Sequence, residues 1–231
     1  MKKNIYILLF VIISTGLSAQ INMVSKKIFL DSLNRETTSP DYSYTRVITN
    51  YSQKSARYVI TDFYKNGRKK MTGSTLDRDI LKKDGEFICY YKNGTKESVI
   101  NYLDDHKSGK EINWYENQNK KSEKQNFWDP KTKKSQTLIL NYWKEDKTQT
   151  VTDGNGEYEE TEGSISQKGE IKNGLKQGIW QGNDVSKDIS FTDSYDKGIL
   201  ISGVSIDANN VKTTYSSLSE KQSGKKTSKS K

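Results

Sequence analysis

The 231-residue sequence predicts an all-β protein, a series of repeated antiparallel β-hairpins joined into one elongated meander sheet. Three observations carry that expectation. Aromatic pairs stand just ahead of Asn-Gly or a near variant of it, and extended segments resume after each. Apolar and polar residues alternate along Tyr42–Thr49, Ala56–Tyr64, Gln136–Trp143, Lys187–Tyr195 and Ile199–Asp207, which is the period of a strand. Fourteen Tyr, six Phe and four Trp offer large areas to bury in a chain that is only 32% hydrophobic.

The repeat is explicit in three places. Phe63-Tyr64-Lys65-Asn66-Gly67, Tyr90-Tyr91-Lys92-Asn93-Gly94 and Trp114-Tyr115-Glu116-Asn117-Gln118 share one pattern, each with a lysine two residues further on. The spacing is roughly 24–27 residues, the range of repeat architectures. A weaker copy begins at the aromatic pair Tyr142-Trp143, with Glu145-Asp146 at its turn. The stretch Gly169–Gly182 keeps the glycine spacing around Asn173-Gly174 without an aromatic pair before it.

Each position has a physical reason. Asn-Gly between extended runs predicts a type I′ turn, which needs positive φ at both central residues. Gln118 replaces that glycine, and a side chain in the left-handed region costs on the order of 1–2 kcal/mol. Neighbouring side chains on a strand point to opposite faces, so a pair such as Tyr90 and Tyr91 puts one ring on each side. Stacked across repeats, such rings predict ladders of cross-strand pairs. Tyr64, Tyr90, Tyr91, Trp114, Tyr115 and Trp143 are therefore the candidate interaction face, with simple packing as the competing role. Asp196-Lys197-Gly198 predicts a further hairpin, and Pro40 and Pro130 predict turns. Val24–Asn34 reads as a short helix.

The ends differ in character. Lys2 and Lys3, the apolar run Ile5–Ile13 and small Ser18 and Ala19 form a secretory signal peptide over residues 1–19, cut after Ala19. Gln20 follows rather than cysteine, which argues against a lipoprotein anchor. A lead-in over 20–41, a β-hairpin repeat domain over 42–215 and a disordered basic tail over 216–231 complete the chain. The formal charge of +9 resides mostly in the ends. Lys2 and Lys3 leave with the signal, and the tail from Glu220 carries five lysines against one glutamate, which leaves +3 on the body. Mixed charge on an exported chain is ordinary solvation and excludes a nucleic-acid footprint. The expected location is the periplasm, the cell envelope or the medium, with membrane contact only through the signal peptide during export. Cys89 has no intrachain partner; it packs as a small hydrophobe on a strand face or pairs between chains.

Asp84–Tyr102 resembles the MORN-like repeats of the YwqK-family antitoxin repeat proteins of bacteria. Gly85, Tyr90, Tyr91, Asn93, Gly94 and Lys96 carry the likeness, and Gly109, Trp114, Tyr115, Asn117 and Lys120 carry a second copy that departs at Gln118. Gly174–Gly182 is similar to the glycine–tryptophan core of the same repeat. The resemblance spans Phe63 to Gly203 and implies a sheet of stacked hairpins. A Lys-, Asn- and Tyr-rich exported chain of this kind resembles secreted proteins of Bacteroidetes-type bacteria.

Chemical motifs are sparse. His106, the single histidine, lies in a polar link without a nucleophile motif and reads as solvated surface. Asp153, Asn155 and Glu157 stand at alternate positions and form a weak candidate set for Ca²⁺, but Tyr158 and Ser164 break the EF-hand pattern. Adjacent carboxylates such as Asp104-Asp105 diverge if they lie on a strand, which is poor geometry for a glycosidase. The sequence assigns no catalytic residue and no cofactor. The expected function is an exported, non-enzymatic β-repeat module that binds a protein or glycan of the bacterial cell envelope. The alternatives are an antitoxin- or immunity-like protein that neutralises one partner, and a glycan-active hydrolase.

Overall fold

The computed structural model describes residues 25–52, 54–218 and 221. The expected signal peptide with its cut after Ala19, and the expected tail from residue 222, lie outside them. The described residues form sixteen strands in one open antiparallel sheet, ordered as they occur in the chain. The strands are β1 (Lys26–Leu30), β2 (Tyr44–Ile48), β3 (Tyr58–Tyr64), β4 (Lys69–Thr75), β5 (Gly85–Tyr90), β6 (Lys96–Leu103), β7 (His106–Trp114) and β8 (Lys120–Asp129). They continue as β9 (Lys134–Trp143), β10 (Gln149–Thr152), β11 (Asn155–Glu162), β12 (Ile165–Lys172), β13 (Leu175–Asp184), β14 (Ile189–Asp196), β15 (Ile199–Asp207) and β16 (Lys212–Tyr215). The all-β meander of hairpins is what the turn signals and alternation predict.

One expectation about the ends is corrected. Val24–Asn34 is not a helix: Lys26–Leu30 is the first strand and pairs antiparallel with Tyr44–Ile48. Its Lys-Lys-Ile-Phe-Leu sequence suits a strand edge, with Leu30 buried. At the other end, Lys221 is the last described residue. Lys221 N–H closes a helical turn on the Ser217 carbonyl (3.0 Å), and its ammonium lies over the Phe191 ring.

The repeat turns are also not type I′. Gly67 N–H donates to the Tyr64 carbonyl (2.9 Å) and Tyr64 N–H to the Arg68 carbonyl (2.8 Å), while only Gly67 takes positive φ (82°). That is a type I turn followed by one left-handed residue, the usual three-residue hairpin loop. The same two bonds recur at Tyr91–Thr95 with Gly94 (φ 94°) and at Tyr115–Asn119 with Gln118 (φ 70°). Asparagine serves another purpose than positive φ. Its Oδ1 accepts the N–H two residues on, at Arg68, Thr95 and Asn119. The fourth copy is displaced by one residue from the sequence alignment. Lys147 takes the left-handed place (φ 73°), Asp146 accepts the Thr148 N–H, and Trp143-Lys144 stands where the other copies have two rings. The turns at the opposite end are the type I′ ones, with positive φ at both residues of Asp104-Asp105, Asp153-Gly154, Asn173-Gly174 and Lys197-Gly198.

A single-layer sheet must find shelter for its apolar face within itself. Here rings on one strand lie on glycines of the next. A Cβ on Gly73 would come within 2.6 Å of the Phe87 ring, and one on Gly169 within 2.5 Å of the Trp180 indole. Gly182 and Gly203 seat Phe191 and Tyr215 in the same way. Two clusters result on one face. The first holds Ile48, Tyr58, Ile60, Met71 and Phe87, with Cys89 packed against it as a half-buried free thiol. The second runs from Ile139 through Tyr142, Val151, Tyr158, Ile171, Trp180, Tyr195 and Leu200 to Tyr215. The expected ring ladder exists, but it is built from Tyr142, Tyr158, Trp180 and Tyr195, with centroids 4.8–6.4 Å apart, not from the paired rings at the turns.

Candidate functional site

The second ring of each repeat acts through its hydroxyl. Tyr64 donates to the Tyr90 carbonyl (2.7 Å), Tyr91 to the Trp114 carbonyl (2.8 Å) and Tyr115 to the Trp143 carbonyl (2.9 Å). Each turn is thereby fastened to the next, and Arg68, Thr95 and Asn119 add bonds to the carbonyls of Asn93, Glu116 and Glu145. Burial pushes the Tyr64 phenol up to about 12. So the structure places Tyr64, Tyr90, Tyr91, Trp114, Tyr115 and Trp143 in one half-buried row along the turn end of the sheet. Tyr115 lines a cleft of about 520 Å³, where its hydroxyl meets that of Tyr142 (3.3 Å) and Tyr142 in turn donates to Glu159 (3.3 Å).

Between the two apolar clusters the same face turns polar. Glu111 on β7 is buried, 4% exposed, and its carboxylate accepts Lys107 Nζ (2.9 Å), Asn126 Nδ2 (3.0 Å) and Asn113 Nδ2 (3.2 Å). Asn126 Oδ1 accepts the Thr137 hydroxyl (2.7 Å). Burial by itself pushes the Glu111 carboxyl up, but Lys107, Lys124 and the Asn126 amide together hold it below its ordinary value. Further along, Lys176 pairs with Glu160 (3.1 Å) and lies over the Trp180 indole at 4.1 Å. Burial lowers its pKa. Asp193, fully buried, accepts Tyr215 (2.6 Å), Tyr195 (3.3 Å) and Lys221 (2.5 Å).

This polar band opens into a groove of about 650 Å³ whose lining includes Lys107, Lys124, Lys134, Lys176 and Lys197 against Glu111 and Glu160. Lys124, Lys134 and Lys197 form no ion pair with a described residue. One wall of the groove is an interruption of the sheet. β9 has ten residues and β10 only four, and their pairing stops at Gln149↔Trp143 and Val151↔Tyr142. The Asp153-Gly154 turn sends the chain back early, because both residues take the positive φ of a tight turn. Gly154 N–H then bonds to the Leu140 carbonyl and Ile139 N–H to the Gly174 carbonyl. Beyond Ile139, the N-terminal half of β9 has β8 on one side and no described strand on the other. Ile139 N–H points away from β8. The two-residue period of an antiparallel strand therefore turns the main-chain groups of Thr137 and Ser135 the same way, into the groove. The facing wall is formed by the Asn173-Gly174 and Lys197-Gly198 turns with Leu175 and Ile199. Ammonium groups and unsatisfied main-chain donors and acceptors are groups that bind.

The other sequence candidates lie elsewhere. Asp153 sits in its turn, Asn155 Oδ1 accepts the Asn173 N–H (3.1 Å) and Glu157 is exposed on β11. Among the described residues no group of three or more His, Cys, Asp or Glu is placed to hold a metal ion. His106 is not simply solvated: it stacks on Trp128 at 3.4 Å between centroids, with Nδ1 2.7 Å from the Asp104 carbonyl. Asp104 and Asp105 lie in a turn rather than on a strand, and Asp104 pairs with Lys82 (2.7 Å). Sequence reasoning missed Lys124, Lys134, Ser135, Thr137 and Lys197. The available signal was Asp153-Gly154 following so soon after the Asp146-Lys147 turn, which leaves room for only a short strand between them. No protein-family model matches the chain, and no curated protein matches it.

Proposed function

We propose that the protein is an exported, non-enzymatic β-repeat module that binds a protein or glycan of the bacterial cell envelope, in keeping with its likeness to MORN-like repeats of the YwqK kind. One observation carries the reading: a lysine-lined groove that presents free main-chain groups in the middle of an otherwise paired sheet. Native sheets blunt or cover their exposed edges. An internal edge held open between two fixed walls serves recognition better than it serves stability. Gly174 N–H bonds to the Gly154 carbonyl and Gly198 N–H to the Lys176 carbonyl (both 2.8 Å), so the groove's walls are tied together before any ligand arrives, which reduces the ordering cost of binding.

The test uses the chain from Gln20 to Lys231 mixed with separated envelope fractions: sacculi, membranes and soluble periplasmic material. The expected result is saturable co-sedimentation or co-elution with one fraction, with no new reducing ends or peptide fragments released. Failure to associate with every fraction overturns the binding reading, and steady release of fragments overturns the non-enzymatic one.

A further inference from the structure

We infer that the groove beside β9 takes an extended, acidic peptide segment of a partner protein as an added β-strand. This rests on the binding-module reading above and names its ligand class. Three features converge on it. The free edge spans Lys134 to Thr137, ending where Gly174 meets Leu138, and Ser135 and Thr137 each direct an N–H and a carbonyl outward, enough for a short antiparallel pairing. Lys134 and Lys197 stand around that edge without ion-pair partners among the described residues, and Lys124 adds a third ammonium over the Tyr158 ring, so an acidic segment meets positive charge on entering the groove. The groove is walled on its far side by Leu175, Gly198 and Ile199.

The walls decide between occupants. A second copy of this chain would have to insert the edge of a folded sheet between β9 and the opposing turns. Its outer strands also carry the wrong charge, with Lys26 and Lys27 on β1 and Lys212 on β16. The basic C-terminal tail is repelled for the same reason. A glycan meets the lysines but does not use the outward N–H and carbonyl pairs at their strand spacing.

The probe is a synthetic nine-residue peptide of alternating glutamate and valine, titrated calorimetrically into the intact chain. The comparison peptides are its alternating lysine–valine counterpart and two N-methylated series, one blocking the amides at odd positions and one at even positions. An acidic oligogalacturonide forms the glycan arm. The expected result is binding of the acidic peptide alone, weakened about tenfold or more by one N-methyl series and not by the other. Amide signals of Ser135 and Thr137 should shift on titration. Lys124→Gln with Lys197→Gln should weaken binding and flatten its salt dependence. Equal binding of both N-methylated series, or binding of the oligogalacturonide with no peptide binding, overturns strand addition. Loss of all groove binding while the envelope fractions still retain the protein sinks this inference and leaves the broader reading standing.

Discussion

The indole of Trp180 lies on the backbone of Gly169, its cross-strand partner, and its Nε1–H donates to the Glu170 carbonyl at 3.1 Å. Trp180 is fully buried although the described residues form one sheet with no second layer to cover it. The absence of a side chain at residue 169 is what allows the ring to lie flat. Gly169→Ala should therefore cost about 1–3 kcal/mol by overpacking, although alanine tolerates strands as well as glycine does. Trp180→Ala should cost about 3–5 kcal/mol. Thermal or urea unfolding of the two variants checks both, and an alanine at 169 that leaves the midpoint unchanged would show that the ring is not seated there.

Gln118 holds a φ of 70° where Gly67 and Gly94 hold 82° and 94°. Nothing contacts a Cβ built on those two glycines, so only the backbone conformation distinguishes the three turns. Gln118→Gly relieves left-handed strain of about 1–2 kcal/mol and gives back part of it through the greater freedom of the unfolded chain. A net gain of up to about 1 kcal/mol is expected, seen as a higher melting temperature. Gly94→Ala should move the midpoint the other way by a similar amount, and both changes should leave the groove's ligand binding as it was.

Hairpins, turn residues and the paired rings were legible because each is a local matter. Turn chemistry needs four or five residues, and Asn66-Gly67 or Lys197-Gly198 supplies them in one place. What was not legible depends on strands far apart in sequence. Glycines 73, 169, 182 and 203 looked like ordinary spacing, because the ring that covers each stands on the next strand. The fourth repeat slipped by one residue because Tyr142-Trp143 imitates an aromatic pair, whereas the turn bonds select Trp143-Lys144. The groove was invisible for the same reason. Its open edge is a consequence of how many residues β10 contributes, and its lysines come from β7, β8, β9, β13 and the Lys197-Gly198 turn. The acidic stretch after Asp153 drew attention as a metal candidate, although the useful information in it was the turn.

Arg46 and Asp62 form a bidentate ion pair across β2 and β3, at 2.7 and 2.8 Å, with Asp62 only 2% exposed. Removing one partner leaves the other buried and uncompensated. Asp62→Ala should cost about 3–5 kcal/mol, whereas Arg46→Met with Asp62→Leu should recover most of that loss. Apart from the Ile139–Gly174 bond, strands in this serial sheet touch mainly their neighbours, so stability behaves as a sum of local terms. Hydrogen exchange should therefore rise in β1 to β5 of the single variant well before it rises around Trp180. Equal loss of protection in both apolar clusters would mean that the polar band between them does not uncouple the two halves.

Glu111 gives that polar band a pH dependence. Burial alone raises its carboxyl, yet Lys107, Lys124 and the Asn126 amide bring the net shift below the ordinary value. A carboxyl with a depressed folded-state pKa contributes stability that is fully present above its unfolded value of about 4.3 and is lost as pH falls through the lower folded value. Glu111→Gln keeps the size and some of the hydrogen bonding but leaves Lys107 without its partner. The variant should be less stable than the parent at neutral pH, and the gap should close on acidification below about pH 4. Paired urea titrations at neutral and acidic pH measure that gap. A difference that stays constant across the range would mean that Glu111 contributes through shape alone, and the ammonium groups around the groove would then owe nothing of their arrangement to its charge.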